Sequence, residues 1–237
     1  MKIVLIGYGA MGRIVERLAF EAGHEVAVAP SSDGTERKFD ALVDALRGHD
    51  AAIDFSVADA VPTNVKACME AGIALVEGTT GWKEHETDVR RIVEDAGGAM
   101  VHGANFSIGV NLFYRVVQYA AGLFAPIREY DAFITEAHHK RKRDALSGTA
   151  LVIQKLVEAE SGTEVEVSST RAGYIPGTHT VGFDSDADQI TLSHVARSRE
   201  GFAHGAVFAA EWIAGRKGYF EFAAAIEDLV QRKVRKL

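Results

Sequence analysis

The feature that most constrains the fold is a regular alternation of short apolar runs and helical patterns in the first part of the chain. Apolar residues recur at helical spacing between consecutive strand-like runs, and Pro62 lies near the first turn of one such helix. This alternation predicts an α/β fold built on a Rossmann-type, doubly wound parallel sheet with right-handed crossovers. The predicted strands are Lys2–Ile6, 24–29, 51–55, 73–76 and Ala99–His102, and the helices after the first are 39–46, 62–70 and 83–96.

A glycine-rich turn joins the first predicted strand to the first helix. Its residues are Gly7-Tyr8-Gly9-Ala10-Met11-Gly12. In a strand–turn–helix–strand unit this spacing is typical of dinucleotide binding: Gly7 permits the tight turn, Gly9 lets a pyrophosphate approach the backbone, and Gly12 lets helix and strand pack closely. The helix N-terminus adds free N–H groups and a partial positive charge. We therefore predict that all six residues contact NADPH or NADH, the alternative being a purely structural turn.

Two later strand ends carry small residues that suit the nicotinamide end of the same cofactor. Gly78-Thr79-Thr80 follows the fourth predicted strand, and Gly103-Ala104-Asn105-Phe106 follows the fifth. The carboxyl ends of parallel strands meet at one edge of a sheet, where ligands bind. We predict that both segments contact the cofactor, although each on its own is also compatible with an ordinary loop.

The end of the second strand bears on the choice of cofactor. An NAD-selective turn places an acidic residue there, whereas this chain has Ser31 and Ser32, and Asp33 lies beyond the expected position. Serine hydroxyls can donate to a 2′-phosphate. We predict that Ser31 contacts the cofactor and that both cofactors work, with NADPH modestly preferred.

The second part of the chain changes character and predicts an α+β domain with a mostly antiparallel sheet and helices on one face. We place a dinucleotide-binding domain at 1–105 plus 214–237, and a substrate-binding and oligomerisation domain at 106–213. The predicted helices are 110–124, one from Gly148, 202–213 and 226–237, and the predicted strands are 130–135, 164–169, 178–183 and Gln189–Val195.

A basic segment, His138-His139-Lys140-Arg141-Lys142-Arg143, interrupts a chain whose formal net charge is -7. Ser147 follows it at a position suited to capping the next helix, so that Gly148 and Thr149 would present first-turn N–H groups, which bind carboxylates. Lysine and histidine supply positive charge and protons. Together these groups suit a small substrate that bears two carboxylates, with a group reduced between them.

Three other interpretations of the basic segment remain. Paired histidines are common metal ligands, but we found no acidic or cysteine partner at ligand spacing and predict no metal. Nucleic-acid binding is disfavoured by the acidic remainder of the chain and by the lack of interleaved aromatic residues. A capped helix after a solvated loop explains Ser147 well and the density of histidine and lysine poorly.

The composition is that of a globular protein, with 47% hydrophobic and 25% charged residues. No apolar run reaches the roughly 18 residues that a membrane span needs, and the N-terminus has no secretory pattern. The single cysteine, Cys68, excludes an internal disulfide and a thiol-rich metal site. We expect a cytoplasmic enzyme without membrane or nucleic-acid partners.

The segment that contains the basic run resembles the signature of the 4-hydroxy-tetrahydrodipicolinate reductases, which is close to E-[AG]-H-H-x-x-K-x-D-A-P-S-G-T-A. The matching positions are Glu136, His138, His139, Lys142, Asp144, Ala145, Ser147, Gly148, Thr149 and Ala150. Similarity extends over nearly the whole chain through the glycine turn, Asp54-Phe55-Ser56, Gly78-Thr79-Thr80-Gly81, Asn105-Phe106-Ser107, Arg171, His179 and Ser198-Arg199. Two positions depart from the family pattern: Leu146 replaces the usual proline, and Ala10 replaces a common arginine that can help to bind the cofactor.

The resemblance implies an oxidoreductase of lysine and diaminopimelate biosynthesis. In that family the nicotinamide cofactor gives hydride to the substrate ring as water is lost, and tetrahydrodipicolinate is formed. The resemblance implies that His138 donates and accepts a proton and that Lys142 donates one. It implies substrate contacts by His139 and by the helix start at Ser147, Gly148 and Thr149, and a homotetramer formed through the sheet of the second domain.

Overall fold

The computed structural model describes residues 1–30 and 36–234. These residues divide into two compact units, the first comprising the described residues of 1–108 and 199–234 and the second Gly109–Ser198. The strands of the first unit are β1 (Lys2–Ile6), β2 (Glu25–Val28), β3 (Ala51–Asp54), β4 (Ala74–Glu77), β5 (Ala99–His102) and β10 (Gly218–Glu221). Its helices are α1 (Ala10–Glu21), α2 (Glu36–Leu46), α3 (Val61–Ala71), α4 (Glu86–Asp95), α7 (Glu200–Ile213) and α8 (Phe222–Val234).

The first unit is built on a parallel sheet, as predicted. Within the described residues it has six strands in the order β10-β5-β4-β3-β1-β2, and each described pairing is parallel. The central strands β3 and β4 are buried along their full length, as expected for a parallel sheet covered by helices on both faces. Helices α2, α3 and α4 cover one face, and α1, α7 and α8 cover the other.

Two features of the first unit differ from the prediction. Strand β10, which pairs with β5 at the sheet edge, was not predicted, because only its two central residues, Tyr219 and Phe220, are apolar. Helix α7 was assigned to the second domain, but the chain returns to the first unit at Arg199. The reason is packing: α7 is rich in buried small residues, and a Cβ added at Gly205 would lie 1.6 Å from the carbonyl oxygen of Phe106.

The second unit has an antiparallel-rich sheet with helices on one face. Its strands are β6 (Asp131–His138), β7 (Glu166–Arg171), β8 (Thr178–Asp184) and β9 (Gln189–Val195), in the order β7-β6-β8-β9. The pairs β6–β8 and β8–β9 are antiparallel, and β6–β7 is parallel. Helices α5 (Ile108–Phe124) and α6 (Gly148–Ser161) pack their apolar sides on the sheet, around Phe113, Val117, Ile134, Ile153, Val157 and Val181.

Strand β6 is longer than predicted, and this changes the location of several signature residues. The predicted strand ended at 135, but pairing continues to His138. Because side chains alternate along a strand, Ile134, Glu136 and His138 share the face that α5 and α6 cover. Glu136 and His138 are therefore held by the sheet and do not belong to the basic loop, which begins at His139.

Candidate active site

The glycine turn between β1 and α1 has the geometry that its spacing predicted. Gly7 has a positive φ of 84°, and a Cβ there would lie 2.7 Å from the carbonyl oxygen of Phe55. A Cβ at Gly12 would lie 2.4 Å from the carbonyl oxygen of Gly7, so helix and turn need glycine to pack this closely. Gly9 is different, because a Cβ there would meet nothing within 4 Å. Gly9 is also the N-cap of α1 and has no side-chain cap, so the helix start opens onto free space.

A cavity of about 600 Å³ lies at the carboxyl edge of the parallel sheet, next to this turn. It receives small residues from four segments of the first unit. Ten of the predicted cofactor residues line it: Gly9, Ala10, Met11, Gly78, Thr79, Thr80, Gly103, Ala104, Asn105 and Phe106. The cavity is large enough for part of a dinucleotide, since ligand pockets in proteins typically have volumes of ~300–1,000 Å³.

Three of the other predicted cofactor residues, Gly7, Tyr8 and Gly12, do not line this cavity. Gly7 and Gly12 are required by packing beneath the turn. The Tyr8 hydroxyl donates to the Glu16 carboxylate, and the guanidinium carbon of Arg13 lies 5.0 Å from the centroid of the Tyr8 ring. Ser31, on which the cofactor preference partly depends, lies outside the described residues.

The cavity also contains residues that we did not predict as contacts. They are Phe55, Ser56, Val57, Ala58, Arg199 and Phe202. The first four follow β3, whose end reaches the same edge as β4 and β5, so the strand-end argument used for the other two loops would have found them. Arg199 precedes α7 and supplies a cation to the wall. The sequence analysis did not find it because α7 was assigned to the second domain.

In the second unit, Glu136 lies at the centre of a buried ion-pair network. Its carboxylate accepts hydrogen bonds from Arg171 Nη2 at 2.7 Å and Nη1 at 2.9 Å, and from Ser169 Oγ at 2.8 Å. His138 donates from its ring Nδ1 to Oε2 of the same carboxylate. The backbone N–H of Ser147 adds a longer contact of 3.3 Å. Glu136 thus orients His138 from one side, and Arg171 holds Glu136 from the other.

Within the network the pKa values of Glu136 and His138 are both lowered, for different reasons. Burial raises the pKa of Glu136, but hydrogen bonds from Arg171, Ser169 and His138 outweigh it and lower the pKa to about 2. Burial, Lys142 and Arg171 together lower the pKa of His138, against the opposing effect of Glu136. Glu136 is therefore ionised at neutral pH, and it stabilises the protonated form of a histidine whose surroundings otherwise disfavour it.

The helix that follows the basic loop is capped as predicted. Ser147 is the N-cap of α6, and its Oγ accepts the Ala150 N–H at 3.1 Å. The same Oγ lies 3.0 Å from His179 Nε2. Burial lowers the pKa of His179 to about 4, so this ring is neutral and its Nε2 can accept a hydrogen bond from the serine hydroxyl. Gly148 and Thr149 then begin the helix, and the Thr149 side chain hydrogen-bonds that of Tyr114.

The basic loop carries the two other predicted site residues. The side-chain nitrogen of Lys142 lies 2.9 Å from Asp144 Oδ2, and this contact lowers the pKa of the Asp144 carboxyl. Arg171 donates to the carbonyl oxygen of Asp144 at 2.6 Å and so ties the loop to the Glu136 network. His139 is partly buried and its carbonyl accepts the Lys142 N–H at 3.0 Å. The structure thus holds His138, Lys142 and Ser147 in one hydrogen-bonded assembly of the second unit.

Contrary to the expectation from the sequence, an acidic residue does lie at ligand distance from two histidines in the second unit. Glu136, His138 and His179 each offer a ligand atom, and these atoms lie within 4.8 Å of one another. Glu136 was overlooked as an acidic partner because it was assigned to a loop, and β8 brings His179 beside it. However, Arg171 and His138 already occupy the Glu136 oxygens, and the fixed charge of the guanidinium opposes a cation. The arrangement therefore favours an ion-pair network, and the absence of a metal remains a prediction.

Glu136, Ser169, Arg171 and His179 were missed as site residues. Three of them occupy one row across the sheet, since Glu136 pairs in register with Ser169 on β7 and with His179 on β8. Arg171 is the register partner of His138. Glu136 precedes the other three by more than thirty positions in the sequence, so only the strand pairing brings them together. The sequence offered two signals, the two-residue spacing of Glu136 and His138 and the family resemblance at Glu136, Arg171 and His179.

Comparison with known proteins gives a consistent result over the whole chain. The model described as "Dihydrodipicolinate reductase, N-terminus" matches residues 1–106, and "Dihydrodipicolinate reductase, C-terminus" matches residues 109–226. The 4-hydroxy-tetrahydrodipicolinate reductase of Christiangramia forsetii is 34% identical and covers 97% of this chain and 99% of the relative. That of Methanoculleus marisnigri is 35% identical and covers 92% of this chain and 95% of the relative.

Solved structures agree on the fold. A dipicolinate-bound dihydrodipicolinate reductase from Paenisporosarcina sp. TG-14 superposes with a TM-score of 0.78 at 20% identity, and the match covers 93% of this chain and 97% of that one. Among the described helices, none is long and apolar enough to cross a membrane. From both family models and from curated relatives that match over almost their full length, the chain belongs to the dihydrodipicolinate reductase family.

Proposed function

We propose that this protein reduces 4-hydroxy-tetrahydrodipicolinate to tetrahydrodipicolinate, with NADPH or NADH as the reductant, in lysine and diaminopimelate biosynthesis. The observation that carries the proposal is the Glu136–His138 pair, in which Arg171 holds an ionised Glu136 that orients His138 beside Lys142 and the capped start of α6. The names of the full-length relatives support the same reaction.

The first unit fits a nicotinamide dinucleotide. The open space in front of Gly9 and the uncapped start of α1 suit a pyrophosphate. Thr79, Thr80 and Asn105 bring polar groups to the cavity and suit the carboxamide of a nicotinamide ring. Arg199 supplies a positive charge at the cavity wall for a phosphate or a carboxylate. The bound cofactor supplies the hydride.

The residues of the second unit suit the proton chemistry. Loss of the hydroxyl as water takes up one proton and releases another from the adjacent ring carbon, which leaves a carbon–carbon double bond conjugated to the imine. Hydride addition to the carbon that carried the hydroxyl then places negative charge on the imine nitrogen, and a further proton neutralises it. His138 is the donor and acceptor in our proposal, and Lys142 is the second donor. A positioned acid contributes ~10²–10⁴-fold to a rate. Glu136 favours the protonated form of His138, as the donor role requires.

The start of α6 suits a substrate carboxylate. Backbone N–H groups at a helix N-terminus and the partial positive charge there attract anions. Ser147, Gly148 and Thr149 form this start, and His139 lies in the preceding loop. The dipicolinate carried by the structural neighbour is a dicarboxylate. We therefore propose that these four residues bind the substrate.

For cofactor choice, localisation and assembly we keep the expectations drawn from the sequence. Both cofactors work, with NADPH modestly preferred, and steady-state kinetics with each one test this. A strong preference for NADH would contradict it. The enzyme is cytoplasmic in our proposal. It forms a homotetramer through the second sheet, whose face opposite α5 and α6 exposes Thr135, Thr191, Ser193 and Val195.

The test is a coupled assay in which dihydrodipicolinate synthase generates the substrate and the absorbance of reduced nicotinamide is followed. We expect oxidation that requires both the synthase and this protein. Another two-domain dehydrogenase that shares only the first domain would oxidise cofactor with a different substrate. A dinucleotide-binding sensor would bind cofactor without turnover. Either result would reject the proposal.

A further inference from the structure

Two carboxyl groups lie side by side beneath the cofactor cavity. Asp54 ends β3, Glu77 ends β4, and the two are register partners in the parallel sheet. Both residues are 0% exposed. They lie on the sheet face that α2, α3 and α4 cover, because Ala52 and Leu75, two residues before them, pack there. Two ionised carboxylates buried side by side on neighbouring strands would repel each other strongly. The pair therefore requires either nearby cations or a proton.

The hydrogen bonds around Asp54 are those of an ionised carboxylate. Oδ1 accepts the backbone N–H of Ser56 at 2.7 Å, and Oδ2 accepts Asn64 Nδ2, also at 2.7 Å. The hydroxyl of Thr79 makes a longer contact of 3.5 Å with Oδ1. Three donors therefore converge on this one group. Burial raises the pKa of Asp54, and the hydrogen bonds from Ser56 and Asn64 act against that effect.

The surroundings of Glu77 are those of a protonated acid. Oε1 accepts the backbone N–H of Thr79 at 2.7 Å, and no described residue donates to Oε2. The nearby titratable groups are neutral: burial raises the pKa of the Cys68 thiol and lowers that of the His102 ring, the register partner of Glu77 on β5. Burial and the neighbouring Asp54 raise the pKa of Glu77 well above its ordinary value.

The donors that the pair engages belong to the cavity wall. Ser56 and Thr79 both line the cavity, on the loops after β3 and β4. Asp54 holds the N–H of Ser56, and Glu77 holds the N–H of Thr79. The Ser56 N–H also lies 3.1 Å from Thr79 Oγ1, which links the two loops directly. Any change in the pair is therefore transmitted to both loops at once.

We propose that Asp54 and Glu77 share a single proton, carried by Glu77, and that this pair acts as a positioning element which sets the Ser56 and Thr79 loops for cofactor binding. The inference rests on the proposed function in taking this cavity as the cofactor site. Neither residue touches the reacting atoms. The proposal therefore requires that Asp54 is ionised and that Glu77 is neutral.

The experiment measures cofactor affinity of the full-length protein, without substrate, by calorimetry with NADPH and NADH. Glu77→Gln keeps an acceptor for the Thr79 N–H and carries no charge, so its affinity should stay within about threefold of wild type. Glu77→Leu removes that acceptor, and Asp54→Asn removes the charge that three donors share. Each should weaken binding by about tenfold or more, with kcat at saturating cofactor reduced much less than KM is raised.

Equal weakening by Glu77→Gln and Glu77→Leu, or unchanged affinity in Asp54→Asn, would overturn the inference. Infrared spectroscopy tests it even where a variant does not fold. At neutral pH the wild type should show the carbonyl band of a protonated, buried carboxylic acid, and Glu77→Gln should lack it; a wild type without that band also overturns the inference. A wild type that shows the band but binds neither nucleotide would reject the proposed function and leave the proton assignment standing.

Discussion

Arg171 binds the Glu136 carboxylate through both terminal nitrogens, Nη2 at 2.7 Å from Oε1 and Nη1 at 2.9 Å from Oε2. The two residues belong to neighbouring parallel strands, β7 and β6. Bidentate pairing fixes the plane of the carboxylate as well as its charge. Because His138 donates to the same carboxylate, the orientation of the proposed proton carrier depends on a residue that lies 33 positions later in the chain (Arg171 against His138).

Arg171→Ala should destabilise the protein, because the Glu136 carboxylate, whose side chain is 0% exposed, loses its cationic partner. Breaking one partner of a buried pair costs about 3 kcal/mol or more in the free energy of unfolding. Urea unfolding at neutral pH measures it. Arg143→Ala, an exposed position in the same region, is the control and should stay within about 0.5 kcal/mol of wild type. Equal stability of the two variants would mean that the network contributes nothing to folding.

Glu136→Gln should shift the pH dependence of turnover. The Glu136 carboxylate favours the protonated form of His138, so its removal lowers the pKa of His138 further. If protonated His138 is the donor, activity is lost as pH rises through that pKa, and the alkaline limb of kcat against pH should move to lower pH. Ser169→Ala removes one donor to Glu136 and keeps its charge, so its limb should move much less. If the alkaline limb of kcat against pH stays in place in Glu136→Gln, His138 is not the donor in the rate-limiting proton transfer.

Lys142→Ala should reduce kcat by ~10²–10⁴-fold, the usual contribution of a positioned acid. Cofactor affinity should stay close to that of wild type, because Lys142 belongs to the second unit and the cavity residues belong to the first. Lys140→Ala, an exposed lysine two residues earlier, is the matched control and should retain wild-type turnover. Steady-state kinetics decide the matter: turnover of Lys142→Ala within a fewfold of wild type would exclude Lys142 as a proton donor.

Thr149→Val keeps the shape of the side chain and deletes its hydroxyl at the start of α6. If the hydroxyl binds a substrate carboxylate, KM for the substrate should rise and inhibition by pyridine-2,6-dicarboxylate should weaken in parallel. The contact with Tyr114 is lost in the same variant, so thermal stability should be measured alongside. Thr87→Val makes the same change at an exposed position of α4 and should alter neither constant. Unchanged values for Thr149→Val would leave the Ser147 segment as a helix cap only.

The sequence predicts most of the fold because its strongest signals are local. Apolar runs separated by helical periodicity define the order of strands and helices in the first unit, and Ser147 marks the start of α6. The return of the chain was misplaced because α7 follows β9 directly in the sequence. Its assignment depends on close packing, in which Gly205 approaches Phe106 across nearly one hundred residues, and no local pattern encodes that contact.

The two candidate sites also differ in how far local sequence patterns predict them. The glycine turn and the two strand-end loops are contiguous motifs, and ten of their predicted residues line one cavity. The network around Glu136 is assembled by strand register, which pairs it with Ser169 and His179. Its acidic centre was visible in the sequence but was assigned to a loop, because strand β6 continues through a segment whose charge density is typical of an exposed turn.

The most direct test of the proposed reaction follows the hydride itself. The protein is incubated with enzymatically generated substrate and with NADPH deuterated at the transferable position of the nicotinamide ring, and the product is examined by mass spectrometry. We expect tetrahydrodipicolinate that carries the deuterium, formed in an amount equal to that of the oxidised cofactor. Cofactor that keeps its label in the presence of substrate, or tetrahydrodipicolinate without deuterium, would contradict it.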